Sequence, residues 1–201
     1  MLRHSRPTQR GFTVIELLIA MVIIGIISTT AYAFMSTSLD QYVSLQKEGT
    51  ALTSLASQTE RIASVLRGVT DISEVSADDI TCYAYFYPKD SFVSLIHYYK
   101  INGNTQLVAD VTPMSANPPN GILLTAQEKT FTIIDTFYQV NGVSTFVYLD
   151  SAGNPLTLPI TDLTTIKGIQ VNLAVPGSAI NKNSNQTASV QVSLRNRKTN
   201  L

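Results

Sequence analysis

The longest apolar stretch of the chain lies close to its N-terminus. Residues 17–39 contain no charged side chain, and the segment LLIAMVIIGII at residues 17–27 contains no polar one. As a helix that rises about 1.5 Å per residue, residues 17–39 would be about 34 Å long, which is enough to cross a hydrocarbon core of about 30 Å. The pattern therefore predicts a transmembrane helix.

Beyond the apolar stretch, hydrophobic residues recur every three or four positions with polar residues between them, as on one face of a helix. Gly49 interrupts this amphipathic stripe and Gly68 is expected to end the helix. The stripe is interpreted as covering the chain's own sheet, and its N-terminal part is an alternative contact surface for other chains. Its members are Leu39, Tyr42, Leu45, Leu52, Ala56, Ile62 and Leu66.

After about Val69 the pattern changes to short runs rich in Val, Ile, Thr, Tyr and Phe, separated by turn residues. Asn102-Gly103 and Asn141-Gly142 predict hairpin turns, because Asn and Gly tolerate positive φ. The fold class is therefore α+β, a long N-terminal helix packed on a largely antiparallel C-terminal sheet. The predicted strands are residues 80–87, 92–101, 106–111, 130–140, 144–149, 166–175 and 188–195.

Composition excludes several classes of function. The 14 Lys and Arg residues balance the 14 Asp and Glu residues, so the total charge gives no reason to expect direct binding of nucleic acid. Cys82 is the single cysteine, which rules out an internal disulfide and favours a buried small hydrophobe. His4 and His97 lie far apart in the sequence, and no nucleophile and base, phosphate loop or metal-ligand spacing is found. We expect no enzyme activity, no metal and no cofactor.

The basic charge at the N-terminus sets the predicted orientation. Arg3, Arg6 and Arg10 precede the apolar stretch without an acid among residues 1–11. By the positive-inside rule this end stays in the cytoplasm, and everything after residue 39 lies outside the cytoplasmic membrane. An ordinary secretory signal has the same layout, and Ala31-Tyr32-Ala33 fits its cleavage site. The chain would then be a secreted or membrane-anchored β-domain that starts at Phe34 and binds a ligand.

Glu16 argues against the ordinary signal. It places a carboxylate at the head of the apolar run, where burial is costly and a plain signal gains nothing from it. The sequence from Arg10 to Leu18, RGFTVIELL, resembles the signal of type IV prepilins and type II secretion pseudopilins. The shared pattern is a short basic leader, Gly, Phe, three further residues, Glu and a long apolar helix.

The resemblance implies a processing site and an assembly residue. In that family a membrane peptidase cuts after the Gly and methylates the new N-terminal Phe, so cleavage is expected between Gly11 and Phe12, with N-methylation of Phe12. Glu16 becomes the fifth residue of the mature chain. Its carboxylate can then neutralise the Phe12 amine of a neighbouring subunit, where an unpaired charge would be expensive.

The implied organisation has four segments. Residues 1–11 are the leader, 12–39 the transmembrane and filament-core helix, 40–68 its amphipathic extension, and 69–201 the β-rich domain outside the membrane. The implied partners are prepilin peptidase, other pilin or pseudopilin subunits, an inner-membrane assembly platform and, before assembly, membrane lipid. The chain would be an inner-membrane precursor that becomes part of a filament.

A second resemblance concerns the C-terminal part. Residues 146–156, 166–173 and 190–196 resemble the C-terminal halves of minor pilins of the J or W type. The missing cysteine pair, which closes a C-terminal loop in many major pilins, also favours a minor subunit.

Other candidate sites have simpler interpretations. A calcium loop at residues 150–154 lacks the EF-hand spacing, so a hairpin turn is preferred. Asp78-Asp79 is expected in a solvated loop or strand start, and the glycosylation motif at Asn185 arises easily by chance. Alternation of the first three members of a tyrosine cluster favours core packing over an adhesive face. The cluster is Tyr83, Tyr85, Tyr87, Tyr98 and Tyr99.

Overall fold

The computed structural model describes residues 12–137, 142–176 and 185–194. One α-helix, α1 (Val14–Arg67), precedes all the strands. The eight strands among the described residues are β1 (Asp71–Val75), β2 (Ile80–Ala84), β3 (Ser94–Ile101), β4 (Gln106–Pro113), β5 (Lys129–Ile134), β6 (Phe146–Leu149), β7 (Gly168–Val175) and β8 (Gln186–Ser193). Two short 3₁₀ turns, Thr125–Gln127 and Leu163–Thr165, lie between strands.

Helix α1 is continuous through Gly25 and Gly49 and ends one residue before Gly68. Only the C-terminal part of the predicted stripe is buried, at Ile62 and Leu66, and the earlier members are exposed. One predicted member of the stripe was wrong by one position, because Leu55 and not Ala56 faces the core. The buried helix residues are Leu55, Thr59, Ile62, Ala63, Val65 and Leu66.

The strands form two antiparallel sheets. The first is a five-stranded meander in the order β1-β2-β3-β4-β5, and the second has the order β6-β7-β8. The predicted α+β class, with a long helix before antiparallel strands, is confirmed. All seven predicted strands are present, although several are shorter than predicted, and β1 was missed.

The Asn102-Gly103 turn joins β3 to β4 as predicted. Asn102, Gly103 and Asn104 have φ values of 52°, 65° and 68°, so the turn uses the left-handed region that Asn and Gly tolerate. The second predicted turn falls on Asn141, outside the described residues. The strands on either side of it, β5 and β6, pair in different sheets.

The described chain divides into two compact units. The first ends at Gln46 and the second begins at Lys47, so α1 contributes to both. In the second unit the helix residues and the inner faces of both sheets form one buried cluster. The segment boundaries predicted at residues 39 and 68 concern membrane and filament and stay predictions.

The loop between β1 and β2, residues 76–79, joins the two sheets of the second unit. The Tyr148 hydroxyl donates to the carbonyl oxygens of Ser76 and Asp79, at 2.8 and 3.0 Å. The Phe146 amide donates to the carbonyl of Ala77 at 3.0 Å. Partly buried backbone oxygens gain from such donors, so residues of β6 supply hydrogen bonds to the loop where the second sheet meets the first.

Candidate functional site

The first unit presents an apolar helix. Side chains from Val14 to Tyr42 are exposed almost throughout, and Phe12, before the first helical turn, is 90% exposed. The stretch is long and apolar enough to cross a membrane, and none of it is buried. A helix that is hydrophobic all round needs lipid or other helices as its surroundings.

Thr13 and Glu16 form a reciprocal cap at the start of this helix. The Thr13 amide and the Thr13 hydroxyl both donate to Oε2 of Glu16, at 2.8 and 2.9 Å. The Glu16 amide in turn donates to the Thr13 hydroxyl oxygen at 3.3 Å. This is a capping box, which satisfies amide groups that the first helical turn leaves without partners.

The cap determines where the Glu16 carboxylate points. Both hydrogen bonds from Thr13 go to Oε2, and among the described residues no donor reaches Oε1. A carboxylate can accept about four hydrogen bonds, so acceptor capacity remains on Oε1. The carboxylate is therefore held beside Thr13, the residue that follows Phe12, and Oε1 retains acceptor capacity. Gly11, the other half of the predicted cleavage site, lies outside the described residues.

The threonine hydroxyls within the apolar stretch are satisfied by the helix itself. The Thr29 hydroxyl lies 3.0 Å from the carbonyl oxygen of Gly25, and the Thr37 hydroxyl lies 2.9 Å from that of Ala33. Such bonds let hydroxyls enter an apolar environment at low cost. Residues 31–33, where an ordinary signal would be cut, lie in the helix interior and not in an exposed loop.

The N-terminal segment also matches a known motif. The family described as the prokaryotic N-terminal methylation motif matches residues 6–32. The chain carries the type IV pilin signature. This motif, which pseudopilins share, spans the second half of the basic leader, the predicted cleavage site, the capping box and the first part of the apolar helix. No curated protein matches the chain.

The signature indicates processing by prepilin peptidase and assembly with other pilin subunits, which is a structural role. It also fits anchoring in the inner membrane before filament formation. The match ends at residue 32 and leaves the β-rich unit uncovered, so the likeness to minor pilins of the J or W type stays a prediction.

The tyrosine cluster is mostly outside the core. Along β2 and the segment after it, Cys82 and the next two alternate residues are buried, whereas Tyr85 and Tyr87 are 38% and 45% exposed. Tyr98 is buried, and Tyr99 is half-buried and donates its hydroxyl to Asp110. Core packing, predicted for the cluster, therefore holds for Tyr98 and is wrong for Tyr85 and Tyr87, which lie beyond the end of β2.

Cys82 and the turn at residues 150–154 have the structural roles that the sequence predicted. Cys82 is fully buried, and burial raises the pKa of its thiol to about 12, so it behaves as a small hydrophobe. Residues 150–154 form a turn in which the Asp150 carboxylate accepts the amides of Asn154 and Ala152, at 2.9 and 2.8 Å. These bonds lower the pKa of Asp150, and the bond from the Asn154 amide has the largest effect. Gly153 has φ +85°, as the turn requires.

Asp78 has a role that the sequence did not indicate. Its Oδ1 lies 2.7 Å from Nζ of Lys100, whose side chain is only 3% exposed, and it accepts the Thr145 hydroxyl at 3.0 Å. Partial burial alone would raise the pKa of Asp78, but the bonds from Lys100 and Thr145 outweigh it and lower that pKa. Asp78 lies in a loop as predicted, but it is a structural ion-pair partner and not simply solvated.

Two residues remain, Asn185 of the glycosylation motif and Thr13, which the sequence analysis did not single out. Asn185 is half-buried at the start of β8, and the adjacent Gln186 donates to Glu48 of the helix at 2.5 Å. Glycosylation at Asn185 stays untested. Thr13 was missed, although the spacing Thr13-Val-Ile-Glu16 is a known sequence signature of a capping box.

Proposed function

We propose that the chain is a minor subunit of a type IV pilus or a type II secretion pseudopilus, and that it enters the filament through its hydrophobic helix. The observation that carries this proposal is a single acid, Glu16, at the head of an exposed stretch that has no other charge up to residue 39, four residues after the predicted new N-terminus. The leader remains cytoplasmic and the β-rich unit lies outside the membrane. An inner-membrane assembly platform moves the subunit from lipid into the filament.

Processing creates the group that Glu16 pairs with. Cleavage between Gly11 and Phe12 leaves a charged amine on Phe12, in surroundings where a lone charge is expensive. Oε1 of Glu16 has acceptor capacity and lies in the first helical turn, so it can take the amine of an adjacent subunit as the helices pack side by side. The pairing gives each incoming subunit a defined axial position.

The mature N-terminus tests the proposal. We expect the first residue of the processed chain to be N-methylated Phe12, because the peptidase cuts after Gly11. Intact-mass and N-terminal peptide spectrometry of the chain, produced in a host with prepilin peptidase, provides the measurement. Gly11→Val should leave the precursor uncut, since close approach of the peptidase to the backbone needs a residue without a side chain.

A chain that begins at Phe34 would instead establish the alternative, a secreted or anchored β-domain cut by ordinary signal peptidase. Normal processing of Gly11→Val would also contradict the proposed site. Gly25→Val is a matched control, because a Cβ at Gly25 meets no atom within 4 Å and the position is distant from the cut.

The minor-subunit assignment predicts low abundance. The single cysteine cannot close the disulfide loop of many major pilins, and the C-terminal segments resemble those of minor subunits. Quantitative mass spectrometry of purified filaments should therefore find this chain well below the most abundant subunit. If it is the dominant filament protein, it is a major pilin.

A further inference from the structure

We propose that the outer edge of β8 is an interaction surface, and that an extended segment of another pilin-type subunit pairs with it as a fourth strand of the second sheet. This inference rests on the proposed function, because it needs assembly with other subunits. It goes beyond that function because packing through the hydrophobic helix assigns no role to the β-rich unit.

Three of the four sheet edges among the described residues are protected against further pairing. Strand β1 carries Asp71 and Glu74, and its register with β2 shifts within the strand. Strand β5 begins at Lys129, and its register with β4 also shifts. The outer edge of β6 is occupied, because the Leu156 amide donates to the Tyr148 carbonyl at 2.8 Å. Charges, register shifts and covering segments are the means by which proteins block sheet edges.

Strand β8 has none of these protecting features. Its eight residues, Gln186–Ser193, pair with β7 in one unbroken register. None of them is charged, and none is a proline. Among the described residues, β8 pairs with β7 alone. A long, regular and uncharged edge of this kind is a template for another strand.

The backbone groups that face the free edge can be assigned from one hydrogen bond. The Leu194 amide donates to the Lys167 carbonyl at 2.9 Å, so the backbone of Leu194 faces β7. In an antiparallel pair the amide and carbonyl of one residue point to the same side, and successive residues alternate. The residues that turn their amides and carbonyls to the free edge are therefore Thr187, Ser189, Gln191 and Ser193.

The two faces of β8 indicate the chemistry of the added segment. The side chains of the four edge-facing residues are exposed and uncharged. On the inner face, Ala188 and Val190 are only half-buried, although they pack against the buried cluster. A strand with apolar residues at alternate positions would cover these two side chains while its backbone pairs with the edge.

A second copy of this chain does not fit as the partner. Two β8 strands that paired antiparallel would be related by a two-fold axis perpendicular to the sheet. Helix α1 packs three turns, from Leu55 to Leu66, on the buried cluster, so the axis would reverse the direction of α1 in one copy. Two subunits anchored in one membrane cannot run in opposite directions. The partner is therefore a different subunit.

The position of the edge agrees with a partner from the same filament. Gln186, the first residue of β8, donates to the Glu48 carboxylate of α1. Leu52, one helical turn after Glu48, is 41% exposed. The edge therefore begins beside an exposed part of the helix through which subunits are proposed to associate, and one neighbouring subunit can contact both.

The first experiment compares the parent with Gln191→Pro and Gln191→Ala. For each chain, the amount in filaments is divided by the amount of cleaved subunit in the membrane, both measured by quantitative mass spectrometry. Gln191→Pro removes one edge-facing amide and no donor to β7, so the ratio should fall about fivefold, as expected for one lost hydrogen bond. Gln191→Ala keeps the amide and should equal the parent.

Val190→Pro checks the assignment of the two sides of β8. The Val190 amide faces β7, so its loss should destabilise the β-rich unit in urea unfolding, whereas Gln191→Pro should unfold close to the parent.

The second experiment leaves the backbone unchanged. The photo-crosslinking residue p-benzoylphenylalanine is placed at position 191 of the full chain and activated in intact cells. Peptide mass spectrometry should find it joined to another subunit that carries the N-terminal methylation motif. The same residue at position 74, on the protected edge of β1, is the matched control and should capture far less.

The outcomes distinguish this inference from the proposed function. If the parent itself does not enter filaments, the proposed function is wrong and the inference fails with it. If the parent enters filaments and Gln191→Pro equals it, only the strand pairing is wrong. An equal loss in Gln191→Ala would make the side chain, and not the backbone, the contact. No capture at position 191, equal capture at position 74, or capture of a second copy of this chain would also overturn the inference.

Discussion

Glu16→Ala should reach the membrane and lose its leader normally, but it should almost disappear from filaments. Removing a charge makes the helix more apolar, so insertion is not impaired. In the filament, however, the Phe12 amine of a neighbouring subunit would be left without its partner. Breaking a buried pair at one end is strongly unfavourable, which corresponds to a loss of about a hundredfold or more in the assembly equilibrium.

Recovery of sheared filaments and the subunit content of those filaments measure this effect, with the membrane level of each variant as the control. Glu16→Gln keeps the shape and removes the charge, and Glu16→Asp keeps the charge on a shorter side chain. Because the chain is proposed as a minor subunit, a fall in total filament number is a second expected readout. Normal incorporation of Glu16→Ala with normal cleavage would make Glu16 part of the peptidase signal instead.

The second large effect concerns the stability of the β-rich unit. Asp78→Ala should lower its free energy of unfolding by about 3 kcal/mol, because the Lys100 ammonium, 3% exposed, loses its carboxylate partner. This value is the lower end of the range for broken buried pairs, since the Asp78 side chain is 33% exposed and water can partly replace it. Tyrosine near-ultraviolet circular dichroism during urea unfolding in non-ionic detergent provides the measurement.

Lys100→Met is the matched control for this pair. It removes the buried charge and keeps a long side chain, and the remaining Asp78 carboxylate still accepts the Thr145 hydroxyl. We expect it to cost about 1 kcal/mol. The double variant should be more stable than Asp78→Ala, since no ammonium is then left buried. If the two single effects simply add, the ion pair does not couple these residues.

The same pair should depend on pH. The folded protein lowers the pKa of Asp78, so the unfolded chain binds its proton more readily and the contribution of Asp78 is complete above the unfolded pKa of about 3.9. It is lost as the pH falls below that value and through the folded pKa. The stability gap between the parent and Asp78→Ala should therefore narrow below about pH 4.

Much of the fold follows from periodicity. The uncharged stretch and the three-to-four-residue spacing predicted a helix, and alternating β-branched and aromatic residues predicted seven of the eight strands. Strand β1 was missed because its register shifts between Ile72 and Glu74, which breaks the alternation that a search for strands depends on. Alternation also does not say which face is inside, and so Tyr85 and Tyr87 were misplaced.

The sequence predicted the residues of the N-terminal motif, but it did not predict the ion pair in the β-rich unit. Gly11, Phe12 and Glu16 follow from one short motif, because processing requires particular residues at fixed spacing. The capping box was also present in the sequence as Thr13-Val-Ile-Glu16. Pairing of Asp78 with Lys100 had no local signal, since it arises where a loop meets the adjacent sheet in three dimensions.

The loop at residues 76–79 also determines the order in which the β-rich unit can be completed. The chain is synthesised from its N-terminus, so the loop and all five strands of the first sheet exist before Thr145, Phe146 and Tyr148. The Tyr148 and Thr145 hydroxyls, which donate to the loop's carbonyls and to Asp78, are therefore supplied about seventy positions later, whereas Lys100 of β3 is already present. Until those residues are present, the Ser76 and Ala77 carbonyls lack the donors that the second sheet supplies, and the first sheet lacks the part of the buried cluster that Phe146 and Tyr148 form.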